Sequence, residues 1–410
     1  MIQETDKRIL DALRCAISGT TVTWGEDLGE AEWEALYRAA AKHNILPLVA
    51  DALPCELPEH YAKRIKQEIL GQAERTAELC VMLEDLYSRG LRPLVIKGAI
   101  CRSLYPQPEH RPSTDEDLMV EPAAFLQLHS ALLDYGLELV KPGADLRASF
   151  EVSYRDPERR LYVEVHKALF TRDLPYLNRM NASFRTAYAR TETQIVGGIP
   201  VQTLGVNDHL LYLILHALKH FLLSGVGIRQ VCDIALYSVQ NRGRISWGGL
   251  RRELSELGAL DFARALFGIA DRYLVPDEHL AEDLAGWEIA AIDWEPMLED
   301  IMEGGLYGTS TKSRAHSASM TLNATTKQHS DGKKALMHAV FQPLSSMQAR
   351  YRYLEKAPFL LPVAWMQRLL RYGRELRRGD RRTNSPLDSI RVGSERIRLL
   401  KQYRIIDDKK

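Results

Sequence analysis

Strand-forming texture in this chain is confined to one stretch of roughly 115 residues, and that confinement limits the fold more than any other feature. On either side, apolar residues recur at helical spacing. "KRILDALRCAI", "EAEWEALYRAAAKHNILPLVADAL" and "AERTAELCVMLEDLYSRG" place them three and four residues apart, and the last ends at Gly90, a natural C-cap. Past Gly90 the pattern breaks. "RPLVIKG" predicts a short buried strand, "AICRSLY" a helix stopped by Pro106 and Pro108, and "DLMV" a second strand. "EPAAFLQLHSALLDYG" has proline near the first turn and glycine at the end of a predicted helix. "LELV", "SFEVSYR" and "RLYVEVHKAL" predict further strands, the last two joined by a hairpin turn around "RDPERR". This order predicts an α+β (mixed α/β) chain with one compact mixed sheet flanked by helices.

Helical spacing returns at "DHLLYLILHALKHFLLSG", "IRQVCDIALYSVQNRG" and "WGGLRRELSELGALDFARALFGIADRYL". The expected organisation is an N-terminal helical region over 1–88, an α/β core over 89–205, and a helical region over 206–300 that covers the core. A polar loop follows over 301–335, then a basic helical region over 336–410.

The chemistry-bearing residues cluster in the core. In "TDEDLMV", Asp115 and Asp117 are two apart, so on a strand both project from one face, roughly 6–7 Å apart. Paired carboxylates raise each other's pKa unless a cation sits between them, and a divalent ion with oxygen ligands, Mg²⁺ above all, meets that need. A bare D-x-D is better explained by a solvated turn; three further features move the reading toward a metal. Lys97 and Gly98 end the preceding strand, where glycine allows close backbone approach to a phosphate and lysine adds a point charge. In "LYVEVHKAL", Leu161, Val163 and Val165 share one face, while Tyr162, Glu164 and His166 share the other, which makes Glu164 a candidate third carboxylate. Arg111, just ahead of the acidic pair, is a residue type suited to a triphosphate. Two carboxylates on one strand, a third on a later one and a glycine turn upstream are what two-metal phosphoryl or nucleotidyl transfer requires.

The first post-core helices hold His216 and His220, and Arg229 and Asp233, each pair four residues apart. Ala217 stands where H-E-x-x-H would need glutamate, so metalloprotease chemistry is unsupported. Packing at the rim of a cleft is the simpler reading of the histidines; contact of Lys219, His220, Arg229 or Asp233 with base, ribose or acceptor is the functional one.

Overall charge points to no partner, because 54 Lys and Arg balance 54 Asp and Glu. From Arg350 to Lys410, however, 17 Lys and Arg face 7 Asp and Glu. A solvated helical face explains that excess more simply than nucleic-acid contact does, and no aromatic stacking module accompanies it. The cysteines (Cys15, Cys55, Cys80, Cys101, Cys232) are odd in number and form no C-x-x-C pair, which fits a reducing cytoplasm. No signal-peptide stretch opens the sequence. Its most apolar short run, "APFLLPVAWMQRLL", is too short to span a bilayer, so a membrane partner is not expected.

Taken together, K-G…R-x-x-x-D-x-D-L-x-V followed about 45 residues later by V-E-V-H resembles the nucleotidyltransferase superfamily typified by DNA polymerase β. Within that superfamily it is similar to the bacterial family labelled uncharacterised nucleotidyltransferase. "KHNILPLVADAL", "LYLILHALKHFLLSGVGIRQVCDIA" and "LLPVAWMQRLLR" extend the likeness over roughly 35–375. The resemblance implies a polymerase β-like core, Mg²⁺ (or Mn²⁺) held by Asp115, Asp117 and Glu164, and an NTP as substrate. It also implies that Glu164 helps deprotonate the acceptor, with Gly98 under the phosphates and nucleotide contacts from Lys97, Arg111, His166, Lys219, His220, Arg229 and Asp233. The sequence departs from the superfamily at Ala99, where serine usually follows the turn glycine, and in the long spacer "YPQPEHRPST" before Asp115. The leading expectation is therefore transfer of NMP to a hydroxyl on a small molecule, protein or RNA, with release of pyrophosphate. A non-catalytic nucleotide-binding protein that kept the fold is the second. The third is a phosphohydrolase built on His216, His220 and Asp233.

Overall fold

The computed structural model describes residues 2–24, 28–54, 57–158, 161–278 and 280–305, together with 344, 347, 351, 353–367, 370 and 386–406. Four helices come first: α1 (Glu4–Ser18), α2 (Glu30–Lys42), α3 (Leu46–Asp51) and α4 (Glu59–Ser88). The α1 stripe of Ile9, Leu10, Leu13, Ala16 and Ile17 is buried, as its spacing predicts, and Gly19 ends the helix in the left-handed region at φ 69°. Gly90 takes the same region just past α4, with φ 78°.

The predicted strands form a five-stranded mixed sheet. Its members are β1 (Leu94–Ile96), β2 (Glu116–Met119), β3 (Glu138–Leu139), β4 (Glu151–Arg155) and β5 (Tyr162–His166), in spatial order β1-β2-β5-β4-β3. The β2–β5 pair is parallel and the others antiparallel. The parallel pair needs a crossover, and α6 (Phe125–Tyr135) with β3 and β4 provides it; the short α5 (Gly98–Arg102) lies between β1 and β2. Register aligns Val95, Leu118, Val165 and Val152 across four strands. These four side chains, with Tyr154 and Val163, pack on Leu79, Met82, Leu83 and Leu86 of α4 and on Leu128 and Leu132 of α6. Each such buried side chain contributes about 1.5–3 kcal/mol.

A further hairpin, β6 (Glu192–Val196) and β7 (Ile199–Thr203), was not among the predicted strands and packs beside β1; α7 (Pro175–Met180) leads toward it. It turns through Gly197 and Gly198, both with positive φ (55° and 88°), the backbone that a tight two-residue hairpin requires.

The other face of the sheet meets helices. Leu94, Ile96 and Met119 join a second core with α1–α3, α8 (Val206–Leu223), α9 (Ile228–Gln240), α10 (Trp247–Glu256) and α11 (Leu260–Ile269). α11 runs on into one π-helical turn, and α12 (Leu280–Asp283) and α13 (Glu295–Gly304) follow. α14 (Pro386–Gln402) docks on this core through Leu399 and Leu400, and Tyr403 donates to the Asp293 carbonyl at 2.9 Å. Residues 301–304 complete α13, and the polar segment from 306 onward lies outside the described residues. No helix among the described residues is long and apolar enough to cross a membrane.

Candidate active site

The sheet's helix-covered face is apolar at β1 and polar at β5. Asp117 pairs in register with Glu164, and Met119 with His166. Because strand side chains alternate, Asp115, Asp117, Glu164 and His166 all fall on this face, opposite the one that packs on α4 and α6. Glu151, whose partner across β4–β5 is His166, joins them; its presence was not read from the sequence. One donor atom each from Asp117, Glu164 and His166 lies within 4.8 Å of the others. The compact trio thus holds His166 where Asp115 was expected.

His166 Nε2 is 3.0 Å from Asp117 Oδ1 and 4.0 Å from Glu164 Oε2, and its Nδ1 is 3.5 Å from Glu151 Oε2. A carboxylate can only accept, so Nε2 carries the proton and orients Asp117. The second Asp117 oxygen faces Lys97: Nζ lies 3.2 Å from Asp117 Oδ2 and 3.8 Å from Asp115 Oδ2. Asp115 is therefore separated from the trio by an ammonium.

These contacts divide the carboxylates electrostatically. Burial alone would raise the pKa of Asp117, but the Lys97 ammonium and the His166 hydrogen bond outweigh it and hold the group well below the usual carboxylate range. Glu164 is pushed up to about 7, first by burial and then by Glu151, Asp117 and Asp115, against a smaller opposing effect of His166. Register neighbours on adjacent strands thus differ because the cation lies on one of them. Donors converging from two strands suit a divalent ion, and Asp117, Glu164 and His166 are the residues that could hold one.

Lys97 is held by its backbone. It has φ 56° and ψ −97°, rare for a residue with a Cβ, and its N–H donates to His209 Nε2 at 3.2 Å. His209 starts a face of α8 that continues through Tyr212, His216 and His220 at three- and four-residue spacing. His216 and His220 approach at 3.3 Å between Nε2 atoms, and burial, followed by the Lys97 charge, keeps both well below the ordinary histidine pKa. Lys219 is half-buried beside them. Asp233, the third member of the phosphohydrolase reading, is bound elsewhere, and among the described residues the metal-type group is the sheet's.

The glycine turn faces a carboxylate of the protein itself. Glu116, between the two aspartates, points to the opposite face, where its Oε2 accepts the Ala99 N–H at 3.1 Å and its Oε1 lies 2.6 Å from Arg102 Nη1. A Cβ on Gly98 would stand 2.6 Å from Glu116 Oε2, so this glycine is needed for the approach of Glu116. Strand alternation carried the signal: a glutamate on the core face must have a buried partner, and Arg102, the one basic residue of α5, lies opposite.

Arg111, Asp233 and Arg229 are brought together with one another. Arg111 donates to both Asp233 oxygens (2.8 and 2.5 Å), Tyr105 donates to the same carboxylate at 2.8 Å, and Arg229 Nη1 donates to the Pro112 carbonyl. This buried set ties the loop before β2 to α9.

A small mixed sheet that presents carboxylates and an imidazole on one face, under a cover of helices, is consistent with the α+β fold of a nucleotidyltransferase. The family model described as uncharacterised nucleotidyltransferase matches residues 29–275, more than half of the chain, and the chain belongs to that family. No curated protein matches it. No solved structure does either.

Proposed function

We propose that the protein is a Mg²⁺-dependent nucleotidyltransferase that moves NMP from an NTP to a hydroxyl acceptor and releases pyrophosphate. The observation that supports this best is the set Asp117, Glu164 and His166 with donor atoms within 4.8 Å, and Asp115 two residues before Asp117. A divalent ion bound there supplies charge stabilisation for the phosphates and lowers the pKa of the attacking hydroxyl. The protein's own part is to place and to take a proton. Asp117 on β2 and Asp115 just before it fix the ligand positions, and His166 Nε2, hydrogen-bonded to Asp117, keeps that carboxylate from turning. Glu164, about a fifth exposed, opens to the cleft and takes the acceptor's proton. The acceptor oxygen forms a bond to the α-phosphorus as the bond to the pyrophosphate oxygen breaks, and the bonding pair leaves with pyrophosphate. Lys219 and His220, on the α8 side, are the groups we assign to base, ribose or acceptor.

The test is titration calorimetry with each NTP in Mg²⁺, followed by transfer of label from α-³²P-NTP to candidate acceptors. Wild type should bind at least one NTP in a Mg²⁺-dependent way, and Asp117→Asn should abolish that binding. NTP binding unaffected by Asp117→Asn would refute the assignment. The second reading, a nucleotide-binding protein without turnover, is favoured by one feature: Glu116 engages the turn amide and Asp233 engages Arg111, so both expected phosphate grips are neutralised from within. Mg²⁺-dependent binding without label transfer or pyrophosphate release would establish it.

A further inference from the structure

We propose that Lys97 is the acid cluster's resident counter-cation, that a divalent ion displaces it, and that the displaced ammonium then becomes a ligand of the substrate's phosphates. This rests on the reading of the cluster as a metal site.

Asp117 Oδ1 is 3.0 Å from His166 Nε2, whereas the buried Oδ2 has no hydrogen bond and faces only the Lys97 ammonium at 3.2 Å, so an ion approaching Oδ2 comes against that ammonium. The histidine is the harder to move. Its ring is buried on a central strand, and its Nε2 is hydrogen-bonded to Asp117 at 3.0 Å. Lysine is a point charge on a four-carbon stem whose donors need no fixed direction, so it can change partners with little loss of geometry. It also sits where an ion would be best placed, between Asp117 and Asp115. Ammonium and divalent ion cannot share that position: they repel strongly at such separations, and the carboxylates gain more from the doubly charged partner.

The displaced ammonium turns on a fixed backbone. The Lys97 backbone is fixed by His209 and by its carbonyl, which accepts the Cys101 N–H at 2.6 Å, so only the side chain swings. Its side chain is 12% exposed, and Asp115 and Glu164 are each 22% exposed, so the open side of the cluster is the side it turns toward. Phosphates bound to the metal arrive from that side and meet the ammonium. By linkage, metal and phosphate then strengthen each other's binding through Lys97.

The test measures Mn²⁺ binding to the full chain without nucleotide, by the loss of the free-ion paramagnetic resonance signal, for wild type, Lys97→Met and Lys97→Arg. Removing the competing cation should tighten Mn²⁺ binding at least about tenfold in Lys97→Met. The forked guanidinium of Lys97→Arg should weaken binding by pairing with both aspartates. In thermal melts, Lys97→Met should lose stability in EDTA and gain more from Mn²⁺ than wild type does. Should Lys97→Met not fold, the Lys97→Arg comparison decides: weaker binding supports the displacement and equal binding overturns it. Wild type that binds Mn²⁺ while Lys97→Met binds no more tightly would overturn the displacement and leave the metal site standing. Failure of all three proteins to bind Mn²⁺ would overturn both.

Discussion

Glu116 shows how much one residue in the acidic loop contributes without facing the cleft. Both its carboxylate oxygens are engaged, one by the Ala99 amide and one by Arg102, and both charged side chains are 2% exposed. Glu116→Ala would strand a buried guanidinium, and a loss of about 3–5 kcal/mol is expected in urea denaturation. A loss within 0.5 kcal/mol of zero would mean that Arg102 finds another partner. Gly98→Ala tests the same contact from the other side. Its new Cβ would lie 2.6 Å from Glu116 Oε2 and 3.2 Å from the Asp115 carbonyl. Because Glu116 is pinned, it cannot simply turn away, and a cost of about 1–3 kcal/mol is expected from overpacking. Equal or greater stability in Gly98→Ala would show that the turn has room.

At the level of elements, α2 and α13 are joined by a buried histidine that folding keeps neutral. His43 Nε2 donates to the Met302 carbonyl at 3.1 Å, and Lys42 donates to the same oxygen at 3.0 Å. Burial, and secondarily the Lys42 charge, lowers the pKa of His43 to about 4. The unfolded chain takes up the proton near pH 6.5, so between about 6.5 and 4 it binds more protons than the folded one. Stability from this group is therefore complete above pH 6.5 and lost as pH falls through that window, by roughly 3 kcal/mol in all. Urea melts from pH 7 to 4 should show a shallower fall for His43→Gln than for wild type, and parallel curves would assign the acid sensitivity to other groups. Elements also differ in how clearly their sequence announces them. β1 is wholly apolar, and β4 and β5 alternate cleanly. β6 and β7 carry the Gly197–Gly198 turn between apolar runs, but exposed Ile195 and Pro200 interrupt the alternation, and their burial depends on packing beside β1.

Across the whole molecule, the sheet and its helical cover are joined at the loop that leads into β2 and its aspartate. Arg111 and Asp233 form a buried bidentate pair between that loop and α9, with Arg229 bound to the adjoining Pro112 carbonyl. Arg111→Met alone should cost about 3–5 kcal/mol, since it leaves Asp233 charged and buried, whereas Arg111→Met with Asp233→Leu should recover most of that loss. Chemical denaturation of the three proteins checks it, and equal losses in single and double variants would mean that packing around the pair matters more than its charge. If the pair holds the loop for function, the double variant should also bind Mn²⁺ more weakly although it folds. Unchanged affinity would confine the pair to stability.

The sequence alone determined the periodicities, and with them the helices, the main strands and the face of β5 that bears Glu164 and His166. It also supplied Asp115 and Asp117, because alternation is a local rule that needs no partner. Only the tertiary structure decided which charged residues would meet. Arg111 and Asp233 are 122 positions apart, and His166 and Asp117 are 49 apart. Such pairings follow from strand order, register and helix packing, which are settled by burying apolar area over the whole chain. Lys97 and Glu116 illustrate the limit: their types were plain in the sequence, but the direction each side chain takes depends on how β1, β2 and β5 pair and on α8, whose His209 accepts the Lys97 N–H.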